Sequence, residues 1–167
     1  MYPPSDKQLV YETDDTVYFF ATAFDPLNNW SGHAVKIWSK TFPTLEHGYH
    51  YRKYSETAPQ VAAEILAAPS AWATMQIDRK HHEKRRKDWE EVKVEIMTEL
   101  MRAKVAQNED VRACLLATGG KQLVKNSPFD EFWGSGAKGT GKNMVGEIFM
   151  QIRNELQVSN KNHRSKS

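Results

Sequence analysis

The segment from Trp89 to Val105 most constrains the fold, because its apolar side chains recur with the period of an α-helix. These positions are Trp89, Val92, Ile96, Leu100 and Ala103, flanked by Met97, Met101 and Val105. A 3.6-residue period maintained over about five turns predicts an amphipathic helix with one buried face. The preceding Asp88-Trp89-Glu90-Glu91 resembles a capping box. We expect this to be the longest helix of the chain.

Further helices are predicted from their end signals. Thr44 follows Pro43 and suits an N-cap, with Glu46 in the acid-favouring first turn. Pro59 suits a first helical position. The apolar run after it ends at Pro69, and one or two more turns follow from Ala71.

Two helices are expected in the C-terminal third. Val111 to Thr118 forms one, and Gly119 lies just past its last apolar position. The last helix is amphipathic through the following positions: Met144, Val145, Ile148, Phe149, Ile152 and Leu156. No regular alternation of strand and helix appears in the chain.

Strand-forming residues are few. Val17–Phe20 is a short apolar run typical of a strand. A turn signal at Asp25–Asn29 separates it from His33–Phe42, whose imperfect alternation predicts a second strand. Gln122–Val124 suits a third. The predicted fold class is mainly α, a compact multihelical domain with a small N-terminal β-hairpin or sheet.

The chain of 167 residues fits one domain with a sizeable hydrophobic core. Residues 1–15 are mostly polar and contain two early prolines, which predicts a flexible N-terminal arm. Residues 16–157 form the single predicted domain. Residues 158–167 are polar and basic, which predicts a disordered tail.

Composition excludes several classes of protein. The single cysteine, Cys114, excludes an internal disulfide and a cysteine-based metal cluster, and it suits a buried packing role. A net charge of +2 does not by itself imply nucleic-acid binding. Neither a signal peptide nor an apolar run of ~20 residues is present, so we expect a cytoplasmic or nuclear protein without a membrane partner. His81-His82 lacks partners at a zinc spacing, and we predict no metal and no cofactor.

The stretch Ser127–Gly136 brings acids, aromatic residues and glycines together within ten residues. A packed core does not need this combination, whereas a pocket for a polar, flat or phosphorylated ligand does. The following Gly136–Asn143 resembles a phosphate loop, and Gly134–Gly139 has dinucleotide-binding spacing. Both motifs require an α/β sheet that the sequence does not predict. What remains is a glycine-rich loop that opens a helix near Asn143 and offers backbone N–H groups to an anion, or else is simply mobile.

Glu46, Tyr49, His50 and Lys53 fall on one face of the helix that begins after Thr44. From spacing alone, this face is either functional or a solvated surface with a local Glu46–His50 pair. The strongly basic segment Arg79–Lys87 also has two readings, because such runs are usually solvated but also attract phosphate.

Several segments, in their order and spacing, resemble the NADAR (YbiA-like) domain family from roughly Thr16 to Leu156. They are Val17–Phe20, Leu27–Trp30, Phe42–Tyr49, Lys87–Trp89 followed by Met97, Arg102–Lys104, Leu115–Gly119, Ser127–Asp130, Phe132–Gly136, and Asn143–Gly146 through Met150 and Arg153. The resemblance implies a compact multihelical fold with a little sheet and an N-glycosidase activity. Family members act on phosphorylated riboflavin-pathway intermediates or on ADP-ribose attached to guanine bases of nucleic acid.

The chain departs from the family pattern at several positions. His50 stands where the family often has glutamine, and Lys125 stands where it often has glutamate. Asn28, Trp30 and Phe129 replace the usual serine, phenylalanine and tyrosine. The base at Lys125 would favour a more anionic ligand or remove a supporting hydrogen bond.

The resemblance implies that Glu46 and Asp130 are the catalytic carboxylates. Cleavage of an N-glycosidic bond passes through an oxocarbenium-like ribose. One carboxylate would handle water or ribose hydroxyls, while the other stabilises the ribosyl cation, and the sequence leaves the assignment open. The predicted ligand-binding residues are Tyr18, Asn29, His47, Tyr49, Lys53, Arg79, Trp89, Lys104, Trp133, Gly134, Gly136 and Asn143.

These ligand-binding residues have different expected roles. Trp89 and Trp133 would stack on a flat base, and Asn29 and Asn143 would hydrogen-bond ribose or phosphate. The cations that would meet phosphate are Lys53, Arg79 and Lys104. Simpler roles stay open: both tryptophans and His47 suit a core, and Lys104 could extend to solvent.

The resemblance, together with the basic Arg79–Lys87 segment and the basic tail, leaves three hypotheses for the function. The first is a hydrolase that removes ADP-ribose from guanine bases of nucleic acid or a nucleoside, with ADP-ribosylated nucleic acid as its partner. The second is an N-glycosidase for phosphorylated riboflavin-biosynthesis intermediates. The third is a non-catalytic module that binds ADP-ribose or NAD.

Overall fold

A three-stranded sheet pairs strands from distant parts of the sequence in the computed structural model, which describes residues 9–20 and 25–164. The strand order is β1, β2, β5, with bounds Tyr11–Glu12, Thr16–Phe19 and Gln122–Lys125. β1 is antiparallel to β2, and β5 is parallel to β2 with Thr16 opposite Gln122. The predicted strand at Gln122–Val124 is therefore confirmed, but it joins the N-terminal strands in one sheet.

A second sheet is a two-stranded hairpin of β3, Val35–Ile37, and β4, Lys40–Phe42. The prediction of one strand over this region is wrong, because the chain reverses at Trp38 and Ser39. Both residues have positive φ angles, 51° and 59°, which suit a two-residue hairpin turn of the primed type. Neither is glycine or asparagine, so the turn lacks its usual sequence signal.

Helices account for about half of the described chain. In order they are α1 (Leu45–Arg52), α2 (Pro59–Leu66), α3 (Ala71–Lys80), α4 (Trp89–Gln107), α5 (Glu109–Ala117) and α6 (Met144–Arg164), with a 3-10 turn at His82–Lys84 before α4. The predicted helix starts at Leu45 and Pro59 are confirmed. The mainly α fold class with small sheets is likewise confirmed.

Two predictions about helices need correction. At 21 residues, α6 is longer than α4, which has 19. No glycine or proline follows Gly146 to end α6, so the helix continues through the polar residues that we expected to be a disordered tail. Asp88 precedes α4 but makes no side-chain capping bond, because its carboxylate instead accepts hydrogen bonds from Arg86 at 2.6 and 2.9 Å.

The chain forms two compact units. One combines the sequence up to Asn28 with the sequence from Glu109 onward, and the other is Asn29–Asn108. The first unit contains the three-stranded sheet, α5 and α6, and its core includes Leu123 and Phe149. The second contains the hairpin and α1 to α4. The single domain over 16–157 stays a prediction.

The predicted arm over 1–15 lies partly within the described residues. Tyr11–Glu12 form β1, and Lys121 Nζ donates to Glu12 Oε1 at 2.7 Å. Residues 1–8 lie outside the described part of the chain, as do 165–167 of the predicted tail. Among the described helices, none has the length and apolar character needed to cross a bilayer.

Candidate active site

Helix α1 fixes the position of Glu46. Thr44 is the N-cap, and its hydroxyl oxygen accepts from the backbone N–H of His47 at 3.4 Å. Glu46 then lies in the first turn, where its carboxylate interacts favourably with the helix dipole. Its backbone N–H donates to the carbonyl of Asn29 at 3.3 Å. Two predicted site residues that are 17 positions apart in sequence are thereby brought together.

His50 lies one helical turn after Glu46 and contacts its carboxylate. The Nε2 atom is 3.1 Å from Glu46 Oε1. Because an ionised carboxylate only accepts hydrogen bonds, Nε2 carries the proton of this contact. His50 is only 4 % exposed, and the Glu46 side chain is 14 % exposed. The predicted Glu46–His50 pair is confirmed, but the alternative of a solvated face is wrong.

The other nitrogen of His50 faces a buried ion pair. Nδ1 lies 3.1 Å from Lys53 Nζ and 3.2 Å from Asp78 Oδ2. Lys53 and Asp78 contact each other at 2.8 Å. Helix α3 brings Asp78 to this place, since it shares the buried face of that helix with Ala71 and Thr74. We call Glu46, His50, Lys53 and Asp78, with the two partners described next, the charged cluster.

Arg85 and Tyr54 complete the charged cluster around Asp78. Arg85 grips the carboxylate with two bonds, from Nε at 2.7 Å and from Nη2 at 2.6 Å. The Tyr54 hydroxyl donates to Asp78 Oδ1 at 2.6 Å. A bidentate guanidinium contact is among the strongest hydrogen-bonded pairs in proteins. The cluster is therefore a rigid support behind His50.

The environment shifts the pKa values of the charged cluster. Burial raises the pKa of Asp78, but hydrogen bonds with His50 and Lys53 and their charges outweigh it and hold that pKa well below its usual value. Burial lowers the pKa of Lys53, and attraction to Asp78 only partly opposes this. Burial and the bond to Asp78 raise the pKa of Tyr54. The charged cluster thus contains two carboxylates, on Glu46 and Asp78, and two cations, on Lys53 and Arg85.

Asn29 adds a polar group that the described protein does not satisfy. Its side chain is buried, and Nδ2 contacts the sulfur of Met97 at 3.6 Å. Its Oδ1 atom has no hydrogen-bond partner among the described residues. A buried acceptor without a partner destabilises the folded state, so such an atom is a natural place for a ligand N–H or O–H. The main chain of Asn29 is bonded to that of Glu46, so this residue is joined directly to the candidate catalytic residue.

Tyr49, Trp89 and Lys53 form a buried aromatic contact with a cation. The Lys53 Nζ lies 4.8 Å from the centre of the Tyr49 ring and 5.4 Å from that of Trp89. The two rings meet edge to face at 4.9 Å. Both aromatic residues are buried, so their contacts with each other and with Lys53 are sufficient to explain them as core residues. Stacking of Trp89 on a ligand stays a prediction.

Lys104 is fully buried, with 0 % exposure, although it carries an amine. Its Nζ donates to the hydroxyl of Ser31 at 2.7 Å, and the same hydroxyl lies 2.8 Å from His33 Nδ1. The alternative that Lys104 extends to solvent is therefore wrong. A buried cation with polar neighbours remains compatible with its predicted phosphate contact.

His47 has both ring nitrogens engaged. Nε2 lies 3.1 Å from the Ala68 carbonyl, which can only accept, and Nδ1 lies 2.9 Å from the Thr44 hydroxyl. With 1 % exposure, His47 has the geometry of a satisfied core histidine. A direct contact with a ligand stays a prediction.

Asp130 lies in the other unit and shapes its own loop. Its Oδ1 accepts from the backbone N–H groups of Phe132 at 3.0 Å and Trp133 at 2.7 Å. These bonds form a turn that a carboxylate at this position stabilises locally. Within the described chain, the hydrogen bonds to this carboxylate all end on Oδ1. Its predicted catalytic role stays a prediction.

The glycine-rich loop does not offer the N–H groups that we expected at the start of α6. The backbone N–H groups of Lys142, Asn143, Met144 and Val145 donate to loop carbonyls at 2.7 to 3.1 Å. The expectation that the N–H groups at the start of this helix are free for an anion is therefore wrong. Gly136 adopts a positive φ of 69°, and a side chain at Gly134 would lie 2.8 Å from the Lys125 carbonyl. These glycines permit the fold of the loop.

Asn143 ties this loop to β5. Its Oδ1 accepts from the Lys125 N–H at 2.9 Å, and its Nδ2 donates to the Leu123 carbonyl at 2.8 Å. The amide thus extends the hydrogen-bond pattern of the strand. Its predicted contact with ribose or phosphate stays a prediction.

The remaining predicted ligand residues are more accessible. Tyr18 is half-buried on β2 and stacks on Tyr11 with ring centres 4.3 Å apart. Trp133 is half-buried against Phe132, with ring centres 4.9 Å apart. Arg79 is exposed at the end of α3.

Sequence reasoning missed Asp78, Arg85 and Tyr54 and did not count His50 among the site residues. One signal was available for Asp78. Asp78 follows Thr74 by four positions and Ala71 by seven, which is the spacing of one buried helix face. No group of three or more histidine, cysteine or acidic side chains in the described ranges is arranged to hold a metal ion.

Comparison with known proteins gives consistent matches. A family model described as the NADAR domain matches residues 11–157. The N-glycosidase YbiA of Escherichia coli K12 is 33 % identical over 159 residues, which cover 93 % of this chain and 98 % of that protein. A riboflavin biosynthesis protein of Vibrio vulnificus is 33 % identical over 147 residues, which cover 88 % of this chain but 38 % of that protein.

The fold comparison agrees with the sequence matches. The NMR structure of the E. coli protein YbiA superposes with a TM-score of 0.77 at 29 % identity, covering 96 % of this chain and 95 % of that one.

Proposed function

Because the chain belongs to the NADAR domain family, we propose that it is an N-glycosidase that removes ADP-ribose from guanine bases of nucleic acid or a nucleoside. Relatives named N-glycosidase support the glycosidic bond as the bond that is cleaved. The proposed bond joins the anomeric carbon of a ribose to a nitrogen of the base.

The observation that carries this proposal is the pairing of Glu46 with Asn29. The Glu46 carboxylate is held by His50, and the Glu46 main chain is bonded to that of Asn29, whose buried amide oxygen has no partner in the described chain. A ribose offers hydroxyl donors to such an acceptor, and a carboxylate stabilises positive charge on its anomeric carbon or takes a proton from water. Together these groups suit a ribosyl transition state.

In the proposed reaction, the bond between the anomeric carbon and the base nitrogen breaks, and its electron pair stays with the base. The oxygen of a water molecule bonds to the carbon. Glu46 takes the proton that this water loses and later returns it to solvent, while the departing nitrogen takes one proton from solvent. The reaction therefore consumes one water molecule, with its OH on the anomeric carbon and one hydrogen on the base. Asp130 is the proposed second carboxylate, which stabilises the ribosyl cation. Its support is its place on a family-matching segment.

His50 is a positioning residue in this scheme. It contacts Glu46 through one nitrogen, and its other nitrogen faces Lys53 and Asp78. The choice of ADP-ribosylated guanine as substrate is supported by exposed cations between Arg79 and Lys87, because they suit an anionic polymer.

A second substrate class also has support. The riboflavin biosynthesis protein of Vibrio vulnificus matches most of this chain. A phosphorylated aminopyrimidine riboside of that pathway contains the same kind of bond between ribose and nitrogen. Its hydrolysis would release ribose 5-phosphate, whereas the first substrate would release ADP-ribose.

Both substrates are tested in one paired assay. The protein is incubated with an oligonucleotide that carries ADP-ribosylated guanine and, separately, with the phosphorylated aminopyrimidine. We expect free ADP-ribose from the first, and loss of that product in Glu46→Gln and Asp130→Asn. Asp88→Asn is the matched control, because it removes a carboxylate that pairs only locally with Arg86. Release of ribose 5-phosphate alone would favour the second substrate, and no product from either would overturn the proposal.

A further inference from the structure

Helix α3 presents a tryptophan on the side opposite to Asp78. The Trp72 side chain is 53 % exposed, whereas Ala71, Thr74 and Asp78 are buried. Gln76 and Arg79 follow Trp72 at four and seven positions, the spacing of one helix face, and both are exposed. The helix that supports the charged cluster from within thus carries an aromatic and cationic face outside.

Two neighbours hold the Trp72 ring in place. The Trp30 ring lies with its centre 6.4 Å away at an interplanar angle of 55°. The Arg79 guanidinium carbon lies 5.7 Å from the ring centre, within cation–π range. We call Trp30, Trp72 and Arg79 the tryptophan platform. Trp30 directly follows Asn29, whose side chain belongs to the candidate site.

The chain that follows the platform is cationic at its surface. Residues 79–87 contain six lysines and arginines and one glutamate. Asp78 pairs with Arg85, and Asp88 pairs with Arg86. The side chains of Arg79, Lys80, Lys84 and Lys87 are exposed. Of these cations Arg79 contacts the exposed Trp72 ring, and the other three follow it within eight positions of the sequence.

We propose that the tryptophan platform and these four cations bind single-stranded nucleic acid, with a base stacked on Trp72 and phosphates near the cations. The proposal rests on the proposed function, because it names a polynucleotide as the substrate class of the glycosidase. Aromatic rings stack on bases of any sequence, and exposed cations attract the phosphate backbone.

The combination of an exposed Trp72 ring with exposed cations favours a single strand over other ligands. A duplex keeps the faces of its bases inside the stack, so it cannot use an exposed tryptophan in this way. An apolar protein surface would leave the neighbouring cations without partners. A single strand satisfies both features at once.

The test uses a fluorescein-labelled 12-nucleotide oligodeoxyadenylate without ADP-ribose, at low salt, with the full chain. We expect Trp72→Ala to weaken binding about tenfold by anisotropy, and Trp72→Phe to restore most of it. Inorganic polyphosphate of equal charge has no bases and can bind only to the cations. Its affinity, measured by competition with the labelled oligonucleotide, should therefore be unchanged by Trp72→Ala. Arg79→Gln should weaken both ligands.

Matched controls separate the platform from general effects. Trp38 also lies beneath an arginine, Arg52 at 5.0 Å, but its Nε1 donates to Glu99 at 2.9 Å. Trp38→Ala and the exposed charge change Lys40→Gln should leave oligonucleotide binding within about twofold of the parent. Circular dichroism checks that each variant is folded.

Each outcome decides the proposal. Equal binding of the oligonucleotide by the parent and Trp72→Ala would overturn it, as would tighter binding of the duplex than of the single strand. Binding of unmodified oligonucleotide does not require glycosidase turnover. A protein that binds single strands through Trp72 but releases no ADP-ribose would therefore support the platform and contradict the proposed reaction.

Discussion

The Nε2 atom of His50 lies 3.1 Å from the Oε1 atom of Glu46, one helical turn earlier on α1. Both groups are largely withdrawn from water, so the bond is weakly screened. The carboxylate therefore has a fixed orientation that a solvent-exposed pair would lack. A fixed orientation of this kind suits the proposed role of Glu46 as the base that takes a proton from water.

Replacement of His50 tests this orientation. We expect His50→Ala to lower kcat for ADP-ribose release about tenfold or more, because the Glu46 carboxylate loses its donor. His50→Gln should keep most of the rate, because the glutamine amide can donate to the same oxygen. Steady-state kinetics with the ADP-ribosylated oligonucleotide measure both. Equal rates for His50→Ala and the parent would remove His50 from the mechanism.

Replacement of Asp78 tests the support behind His50. Asp78→Asn leaves Lys53 and Arg85 facing each other around a neutral amide, so the free energy of unfolding should fall by about 3 kcal/mol. Urea denaturation followed by circular dichroism gives this value. Asp88→Asn should change it by less than about 0.5 kcal/mol, because that carboxylate pairs locally near the surface. Equal effects of the two substitutions would contradict a special role for the charged cluster.

The pH dependence of stability provides a separate test of Asp78. Its pKa in the folded protein is below the usual 3.8, so the folded state binds this proton less readily than the unfolded chain. The resulting stabilisation is fully present above about pH 4 and is lost as the pH falls through the folded pKa. We expect the free energy of unfolding of the parent to fall more steeply below pH 4 than that of Asp78→Asn. The same fall in the free energy of unfolding below pH 4 in the parent and in Asp78→Asn would refute this linkage.

The buried Lys104 gives a test of ligand binding that is separable from folding. We expect Lys104→Met to keep the free energy of unfolding within about 1 kcal/mol of the parent, because an apolar side chain of similar length suits a buried position. The KM for a phosphate-bearing substrate should rise about tenfold through loss of a charge-assisted hydrogen bond. Lys40→Met, an exposed charge change, serves as the control. An unchanged KM would show that Lys104 does not contact the substrate phosphate.

Two glycines provide a matched test of the packing behind the loop. A Cβ atom added to Gly146 would collide with the Leu123 carbonyl oxygen. A Cβ atom added to Gly120 would have no described atom within 4 Å apart from those of its adjacent residues. We expect Gly146→Ala to lower the free energy of unfolding by about 3 kcal/mol or more, because the added methyl group forces the backbone of α6 away from that of β5. Gly120→Ala should stay within about 1 kcal/mol. Thermal unfolding of both variants measures the difference.

The sequence predicts the helices better than the sheets, for reasons visible in particular residues. Thr44 and Pro59 are local signals, and the helices begin where those signals indicate. The hairpin turn places Trp38 and Ser39 at positive φ, where glycine or asparagine is the usual signal. Pairing of Thr16 with Gln122 spans most of the chain, and no local pattern reports such a contact.

In the candidate site too, contacts within one helix were predictable from the sequence, whereas contacts between distant segments were not. The Glu46–His50 pair follows from helical spacing and was predictable. Asp78 reaches His50 from a different helix, and Asn29 reaches Glu46 through backbone atoms, so neither contact has a spacing that can be read from the sequence. Burial of Lys104 likewise depends on tertiary packing, which can override the usual preference of lysine for solvent.

The parallel pairing of β2 with β5 has a consequence for synthesis of the protein. Asn29–Asn108 is one continuous stretch that can leave the ribosome complete, whereas the unit containing β2 must wait for the strand at Gln122–Lys125 and the helix after it. Domains generally fold in the order of their emergence. The unit that contains Glu46 should therefore acquire its structure first, while the Asp130 unit must wait until β5 and α6 have also left the ribosome.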